Sequence, residues 1–386
     1  MNRLYEIMDN DRLDALIITD GYNIHYLSGY GGHTGCMVIT CKGRYILTDS
    51  RYTEQVMIEA PDFSCVDIKL DGYANTINKI ILEDCHAKKA STDNFSKNNC
   101  PQLNVDNMCV DNGDNVDKIF VGFENEEVSY KTFMSYKENF DAYIELVPLD
   151  EKIVKLRVIK SDDELDKIAM AEHIGDMAFT HILEVLKPGM TEIEVAIELE
   201  NHMRKNGASG LSFDTIAASG KNSSLPHAVP TGRRLEEGDL LTMDFGCVYC
   251  GYCSDMTRTV YIGREPSDKK RHVYETVLKA QLESMKLIKP GAKCSDIDRC
   301  AREIIADAGY DGYFGHGLGH SVGLYIHEEP RLSPKCDEIL RPGITVTVEP
   351  GIYIPGEFGV RIEDLVVVTE DGYKNFAHSS KELVCI

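Results

Sequence analysis

Two stretches in the C-terminal part of the chain resemble each other, and this internal repeat restricts the fold more than any other feature. They are Gly238-Asp-Leu-Leu-Thr-Met-Asp244 and Gly343-Ile-Thr-Val-Thr-Val-Glu349, and in each an acid follows a glycine by six residues and a threonine by two. Lys-Pro-Gly also ends a predicted helix twice, at residues 187–189 and again at residues 289–291. A helix-and-strand unit that occurs twice predicts a domain of two halves related by a pseudo-twofold axis.

A second acid follows each of the repeated strands. Asp255 lies 11 residues after Asp244, and Glu363 lies 14 residues after Glu349. We expect each pair to span a hairpin, and because side chains alternate along a strand, a hairpin sets one carboxylate beside the other. The pseudo-twofold arrangement would bring both pairs to the centre, so the sequence predicts that these four carboxylates converge.

Converging carboxylates need compensating charge, since ionised acids in one pocket repel one another and raise each other's pKa. Two divalent cations are the simplest compensation. One added imidazole, for which His320 is the candidate, favours Mn, Fe, Co or Zn over a site dedicated to Ca or Mg.

The competing interpretation is that each acid is an ordinary surface residue, as most acids on strands are. Asp255 and Glu363 could then simply pair with Arg258 or Arg361. The acids that end the apolar strands LLTMD and ITVTVE resist this interpretation, because an unpaired charge there would be buried at high cost.

Histidines are concentrated in the glycine-rich segment GYFGHGLGHSVGLYIHEEP, which contains His316, His320 and His327. A single histidine is usually structural or solvated, but three within twelve residues are more than packing requires. His227 adds a further imidazole on the Gly/Ser/Pro-rich loop GKNSSLPHAVP, where functional residues are over-represented.

The charge balance of the 386-residue chain argues against two classes of partner. Its 41 Lys and Arg against 63 Asp and Glu give a formal charge of −22, which repels nucleic-acid phosphates and anionic lipid surfaces. No stretch reaches the ~20 apolar residues of a bilayer span, and the N-terminal residues lack a signal-peptide pattern. We therefore expect a cytoplasmic protein that binds neither nucleic acid nor membranes.

The thirteen cysteines are odd in number and lack the regular spacing of a disulfide scaffold, so reduced thiols fit best. Cys247, Cys250 and Cys253 form a C-x-x-C-x-x-C run that superficially resembles a cluster-binding loop. The run lacks a nearby fourth cysteine followed by proline and lies in a strand-turn-strand pattern, which argues against a cluster.

Alternating strands and helices in the first ~150 residues predict an α/β domain. A linker after Pro148 places the boundary near residue 155, giving domains 1–155 and 156–386. The expected strands of the first domain are residues 15–20, 35–40, 44–49, 65–70 and 118–124.

Three helices of the second domain carry start signals. Capping-box pairs are expected at Ser161 with Glu164 and at Thr191 with Glu194. A further capped helix is expected over residues 295–308, after the second Lys-Pro-Gly turn.

These residues resemble the pita-bread metallopeptidases, in the branch that contains aminopeptidase P and prolidase, the Xaa-Pro dipeptidase. The likeness covers nearly the whole chain and is carried by SFDTIAASGKNSSLPHAVP, DFGCVYCGYCSDMTRT, GHGLGHSVGLYIHEEP and TVEPGIYIPGEFGVRIED, with ligands in the order Asp, Asp, His, Glu, Glu. YILTDSRYTEQ and DALIITDGYNIHYLSGY look like the smaller domain of these enzymes. The resemblance implies an α/β (α+β) chain in which a creatinase-like N-terminal domain precedes a pseudo-twofold pita-bread catalytic domain.

The resemblance also implies two divalent metal ions per subunit, Mn or Co, with Zn or Fe as alternatives. Asp244 would bind one ion and His320 the other, with Glu349 beside His320. Asp255 and Glu363 would bridge both ions. Two such ions activate water and polarise the scissile carbonyl. Glu349 would be the general base and proton shuttle.

The remaining roles follow from the same resemblance. His227 and His327 would lie beside the substrate carbonyl and the developing oxyanion. His316 would lie against the proline side of the substrate. Arg361 would orient ligands or substrate, with Tyr353 nearby.

The implied reaction is hydrolysis of the bond between an N-terminal residue and proline, in dipeptides or in longer peptides, by a homodimer. Phe213 would line an apolar pocket. A methionine-aminopeptidase-like enzyme is less compatible with the extra N-terminal domain, and creatinase-like hydrolases lack the full ligand set. A non-catalytic binding protein on the same scaffold is the alternative from a different class.

Overall fold

The computed structural model describes residues 1–32, 34–69, 71–85 and 118–386. These residues form two compact units, Met1–Leu156 and Arg157–Ile386. No helix within the described ranges is long and apolar enough to cross a membrane.

The elements of the first unit are α1 Asn2–Asp11, β1 Ala15–Ile18, α2 Gly21–Ser28, β2 Cys36–Thr40, β3 Arg44–Thr48, α3 Thr53–Glu59, β4 Ser64–Asp67, α4 Gly72–Cys85, β5 Ile119–Phe123, α5 Tyr130–Asn139 and β6 Ile144–Pro148. The strands form a six-stranded mixed sheet in the order β4-β3-β2-β1-β5-β6. The expected strand 65–70 ends at Asp67, and its last residue, Leu70, lies outside the described residues.

The central strand β1 explains why this sheet needs helices on both faces. All four of its residues are buried, and they alternate between two apolar clusters. Leu16 and Ile18 belong to one cluster, whereas Ala15 and Ile17 belong to the other. Continuous burial of this kind is typical of an α/β sheet, so the predicted α/β class is confirmed.

The second unit combines two helix pairs with short sheets. Its elements are α6 Asp162–Val185, α7 Glu192–Lys205, β7 Gly210–Leu211, β8 Ile216–Ser219, β9 Leu240–Phe245, β10 Cys247–Tyr249, β11 Tyr252–Cys253, β12 Met256–Tyr261, α8 Asp268–Met285, α9 Cys294–Ile305, β13 Gly319–Ser321, β14 Glu328–Leu332, β15 Thr345–Val348, β16 Gly351–Ile354, β17 Phe358–Arg361, β18 Asp364–Val368 and β19 Tyr373–Asn375.

The first two helices of this unit begin where the sequence predicts. The Ser161 N–H donates to Glu164 Oε2 at 2.9 Å, and the Thr191 N–H donates to Glu194 Oε2 at 2.7 Å. Both helices carry the complete capping box. The two capping predictions are therefore confirmed.

The helix predicted over residues 295–308 is present, but it lacks the expected side-chain cap and its regular part ends earlier. Helix α9 begins at Cys294, after an N-cap Lys293 that has no side-chain cap. The Ser295 N–H donates to the Cys336 carbonyl at 3.0 Å, so a distant backbone group occupies the donor. The regular helix ends at Ile305, and a π turn follows that contains Gly309 at φ 89°.

The internal repeat is visible in the backbone. The N–H of Gly189 donates to the Leu235 carbonyl at 2.8 Å, and the N–H of Gly291 donates to the Leu340 carbonyl at 2.9 Å. These two glycines follow α6 and α8 with φ angles of 91° and 85°, where an L side chain would be strained. In each half, therefore, the turn after the first helix is hydrogen-bonded to the segment that leads into the long strand.

Each half also contains one antiparallel strand pair that encloses a shorter hairpin. Strand β9 pairs with β12 around the hairpin β10–β11, and β15 pairs with β18 around the hairpin β16–β17. One apolar cluster contains Leu199 of α7 and Met243 of β9, and a second contains Ile297 of α9 and Val346 of β15. The predicted pseudo-twofold construction is thus present in both sheets and cores.

Candidate metal centre

The four acids lie at the inner ends of the two long strand pairs. Asp244 lies on β9 opposite Thr257 of β12, and Asp255 immediately precedes β12. Glu349 follows β15, and Glu363 immediately precedes β18. The Glu363 N–H donates to the Thr257 carbonyl at 3.1 Å, which joins the two halves at this point.

Three of the acids converge. Ligand oxygens of Asp244, Asp255 and Glu363 all lie within 4.8 Å of one another, and these side chains are largely buried. The fourth acid, Glu349, joins them through His320: the imidazole Nε2 lies 3.5 Å from Glu349 Oε1 and 3.6 Å from Asp255 Oδ2. The sequence predicts that these acids lie on paired strands, but the structure places all of them except Asp244 just beyond the end of a strand.

The tautomer of His320 follows from its other ring nitrogen. Nδ1 lies 3.1 Å from the Ser321 carbonyl, which can only accept, so Nδ1 carries the proton. Burial lowers the pKa of His320 to about 3, and the ring is neutral at neutral pH. Nε2 therefore presents a lone pair to the carboxylates, an arrangement that is repulsive without a cation between them.

The carboxylates show the same lack of compensation. Burial, followed by the charges of neighbouring acids, raises the pKa of Asp255 and of Glu363 well above their usual values. Burial raises the pKa of Glu349 to about 8. These acids therefore tend to hold protons unless positive charge enters the cluster.

The residues present fit a metal centre. Asp244 Oδ1 is buried and has no hydrogen-bond partner among the described residues, although Oδ2 of the same side chain contacts Arg361 Nη2 at 2.5 Å. An oxygen-rich cluster with one neutral imidazole is a donor set for divalent Mn, Co, Fe or Zn. Asp244, Asp255, Glu363, His320 and Glu349 are the residues that could hold such ions.

Arg361 is the centre of a hydrogen-bond network beside the acids. Its Nη1 donates to the Tyr353 hydroxyl at 2.7 Å and to the Pro226 carbonyl at 3.1 Å, and its Nε donates to Thr257 Oγ1 at 3.1 Å. The ion pair of Arg361 is with Asp244. The alternative in which Arg258 or Arg361 neutralises Asp255 and Glu363 is therefore not what the structure contains.

His316 is fixed by the same network. Its Nδ1 donates to the Gly317 carbonyl at 2.8 Å, so its Nε2 accepts from the Tyr353 hydroxyl at 2.9 Å. Burial, then the charge of Arg361, lowers the pKa of His316 to about 4. Its Nδ1 also lies 3.9 Å from Glu349 Oε2. The structure thus brings His316 and Tyr353 together with the predicted metal ligands.

His327, His227 and Phe213 are the predicted residues that remain. The His327 ring is exposed and stands edge-on to His320, with 4.6 Å between centroids. His227 is exposed and lies close enough to His316 and His327 to interact electrostatically with both rings. Phe213 is half-buried beside Gly246, and its Cε1 would lie 3.1 Å from the Cβ of any larger residue at position 246.

Two threonines that orient the acids were not predicted. Thr257 Oγ1 donates to Glu363 Oε2 at 2.7 Å while accepting from Arg361. Thr347 Oγ1 lies 3.3 Å from Glu349 Oε1 and accepts from the His320 N–H at 3.0 Å. A signal existed for Thr347, since it precedes the acid by two residues in the repeated pattern.

A buried lysine also escaped prediction. Lys160 Nζ donates to Ser321 Oγ at 2.8 Å and lies 3.1 Å from Glu328 Oε2, and the lysine side chain is 1% exposed. Ser321 follows His320 on β13, and Glu328 follows His327 and begins β14, so one cation anchors both strands next to these histidines. Nothing local distinguishes Lys160 in the sequence, because its partners lie more than 150 residues away.

The three neighbouring cysteines do not form a ligand set. The buried thiols of Cys247 and Cys253 lie 3.4 Å and 3.6 Å from the carbonyls of Ala171 and Leu324. Cys250 is exposed at a turn with φ 48°. The thiols of Cys247 and Cys253 thus contact different backbone groups, whereas Cys250 is on the surface.

Profiles of known families match both parts of the chain. The profile described as metallopeptidase family M24 matches residues 166–370. The profile described as creatinase/prolidase N-terminal domain matches residues 1–159. The predicted two kinds of domain are confirmed.

Individual proteins match along their full length. The chain is 40% identical over 387 residues to the uncharacterized peptidase YqhT of Bacillus subtilis (strain 168), covering 100% of this chain and 99% of that protein. The solved Xaa-Pro dipeptidase from Bacillus anthracis has a TM-score of 0.87 at 39% identity, covering 100% of this chain and 98% of that one. The X-Pro aminopeptidase structure from Thermotoga maritima MSB8 has a TM-score of 0.86 at 34% identity, covering 100% and 99%.

Proposed function

Because the chain belongs to metallopeptidase family M24, we propose that it is a metal-dependent exopeptidase that hydrolyses the bond between an N-terminal residue and proline. The observation that carries the proposal is the convergence of Asp244, Asp255 and Glu363 within 4.8 Å, with the lone pair of His320 facing the acids. Similarity to an Xaa-Pro dipeptidase and to an X-Pro aminopeptidase supports the substrate class.

We assign two divalent ions to this centre, with Asp244 on one, His320 and Glu349 on the other, and Asp255 and Glu363 shared. Mn or Co is the proposed pair, with Zn or Fe compatible with the same ligands. When bound, these ions would lower the pKa of water and polarise the substrate carbonyl. The uncompensated acids support this assignment, because a bound cation removes the cost of ionising them together.

Glu349 is the proposed proton carrier. It would accept the proton from the attacking water and return it to the proline nitrogen as the peptide bond breaks. Thr347 contacts one of its oxygens at 3.3 Å, and His316 lies 3.9 Å from the other, so the carboxylate is held at the edge of the cluster. Glu349 is therefore better placed to carry a proton than Glu363, which is more deeply buried.

The imidazoles around the acids are the proposed substrate contacts. The exposed His227 and His327 would donate hydrogen bonds to the carbonyl oxygen as negative charge develops there. His316, held by Tyr353, and Phe213 would bound the proline side. An Xaa-Pro bond is a tertiary amide without an N–H, so recognition through carbonyl and ring contacts suits it.

A cytoplasmic homodimer completes the proposal. The described cysteines are free thiols, which supports a reducing compartment. We place the division between the two domains near residue 155, in keeping with the two compact units. The two named activities of the similar structures leave both dipeptides and longer peptides as substrates.

The test uses chelated protein reloaded with Mn²⁺ or Co²⁺. We expect two ions per chain and hydrolysis of Ala-Pro, with much slower hydrolysis of the matched dipeptide Ala-Ala. Comparing Ala-Pro with Ala-Pro-Ala-Ala then decides between dipeptidase and aminopeptidase. If the protein neither binds metal nor hydrolyses these substrates, the result would favour a non-catalytic binding protein. Preferential release of N-terminal methionine, or cleavage of creatine without metal, would replace the proposal with one of its alternatives.

A further inference from the structure

A histidine-rich groove lies on the outer helices of the second unit and shares no residue with the acid cluster. Its cavity of about 520 Å³ lies between α6, α7 and the segment at residues 378–379. His173, His181, His202 and His378 line it. Twelve histidines occur in the whole chain, so a third of them meet at this groove without any part in the proposed reaction.

The two helices present the same pair of ligand types across the groove. Helix α6 carries His181 and Glu184 three residues apart, and α7 carries Glu198 and His202 four residues apart. Residues at these spacings are neighbours on one helix face. Each helix therefore offers one imidazole and one carboxylate within a single turn.

The imidazoles are already in contact. The rings of His181 and His202 stack with 4.3 Å between centroids and an interplanar angle of 19°. His181 Nε2 lies 2.6 Å from Glu198 Oε1, which ties α6 to α7. An imidazole with an unprotonated ring nitrogen can offer that lone pair to a divalent cation.

The other polar groups of the groove have different roles. Both oxygens of Asp176 accept from the His378 N–H, and Oδ1 also accepts from the Ser379 N–H at 2.7 Å, so this acid is occupied. Imidazoles beside Glu184 and Glu198 form a donor set for a nitrogen-preferring divalent cation rather than for Ca²⁺ or Mg²⁺.

We propose that His181 and His202, with the Glu198 carboxylate, bind a transition-metal ion of the Zn²⁺ class, separate from the ions of the acid cluster. Among the described residues, the trio Asp244, Asp255 and Glu363 is the one set of three ligand atoms already within 4.8 Å of each other. Binding at the groove therefore requires rotation of partly exposed side chains, which is fast and inexpensive. The groove site is accordingly weaker than the acid cluster, and its ion cross-links α6 to α7.

The experiment dialyses metal-free protein against Zn²⁺ and measures the zinc ions bound per chain, because zinc would displace manganese from the acid cluster. Wild-type protein should bind one zinc ion more than the double variant His181→Ala/His202→Ala, and its melting temperature should rise further with zinc concentration than that of the variant. The matched variant His173→Ala should behave as wild type.

Two outcomes would overturn the proposal: no zinc uptake by wild type, or equal zinc uptake by wild type and the double variant. If the double variant does not fold, Glu198→Gln provides the test. It removes the carboxylate ligand and should weaken zinc binding by at least about tenfold, because losing a ligand costs no less than losing a group that orients one. Unchanged zinc affinity in that variant would contradict the site.

Discussion

Glu363 and Asp364 are consecutive buried acids, 1% and 0% exposed, with opposite surroundings. Asp364 contacts Arg258 at 2.8 Å and also pairs with Lys381. Burial acts to raise its pKa, but these two cations outweigh burial and hold the pKa below its usual value. Gln281 donates a further hydrogen bond at 3.1 Å. The chain thus supplies the positive charge that Asp364 needs.

Glu363 receives no equivalent compensation. Burial, then the charges of Glu349 and Asp244, raises its pKa, and its hydrogen-bond donor is the neutral Thr257 hydroxyl. Asp364 is neutralised by two cations of the chain, whereas Glu363 is surrounded by other acids. We infer that the positive charge that Glu363 needs comes from a bound cation. The difference separates acids that stabilise the fold from acids that bind metal.

The largest expected effect tests the metal-binding side of this comparison. Asp255→Asn should lower kcat/KM on an Xaa-Pro dipeptide by roughly 10³-fold or more, since metal-ion charge stabilisation is worth several kcal/mol. The metal-free variant should unfold at the same or higher urea concentration than metal-free wild type, because an uncompensated buried acid is gone. Full turnover would exclude Asp255 from the centre.

The matched substitution on the other side is Asp364→Asn. It leaves Arg258 and Lys381 facing a neutral amide in the core, so we expect a loss of roughly 3–5 kcal/mol in the free energy of unfolding. The folded fraction should still bind metal and turn over substrate. Urea unfolding and metal analysis measure the two quantities, and loss of metal at unchanged stability would reverse the comparison.

A smaller effect should appear in the pH dependence of metal-free protein. Folding raises the pKa of Glu349 to about 8 from about 4.3 in the unfolded chain, so the folded state binds the extra proton. The stability gained in this way is complete below about pH 4.3 and is lost as pH rises through about 8. Metal-free wild type should lose up to about 4 kcal/mol between pH 5 and pH 8.

Glu349→Gln is the control for this pH dependence, because it keeps the shape of the side chain and removes its titration. Its metal-free stability should change less over the same pH interval when followed by urea unfolding. Identical curves for wild type and variant would mean that Glu349 does not titrate in this way.

The smallest expected effect concerns Thr257. Thr257→Val removes the hydroxyl between Glu363 and Arg361, and we expect metal affinity to fall by roughly 10- to 100-fold. Thr257→Ser keeps the hydroxyl and should retain most of the affinity. Metal titration of chelated protein measures both, and equal affinities in the two variants would remove Thr257 from the support of the centre.

The repeat explains why much of the site could be predicted from sequence. Matching Asp244 to Glu349 and following each strand to its second acid was enough to predict convergence, because strand pairing is a local consequence of the pattern. The capping boxes at Ser161 and Thr191 were equally readable, since their donors and acceptors lie three residues apart.

Long-range partners were not readable in this way. Arg258 and Arg361 both follow from sequence as cations near acids, but only the packed structure assigns them to Asp364 and Asp244. The prediction of a local cap for α9 was wrong for the same reason, because a distant carbonyl takes the place of that cap. Lys160 has no local signal at all.

The most direct test of the account is a crystal structure of the Mn²⁺-loaded protein with anomalous data collected above the manganese edge. The account predicts two anomalous peaks among the oxygens of Asp244, Asp255, Glu349 and Glu363, with His320 Nε2 on one of them. An absent signal there, or manganese bound only elsewhere in the chain, would contradict the central claim that these five residues form a metal centre.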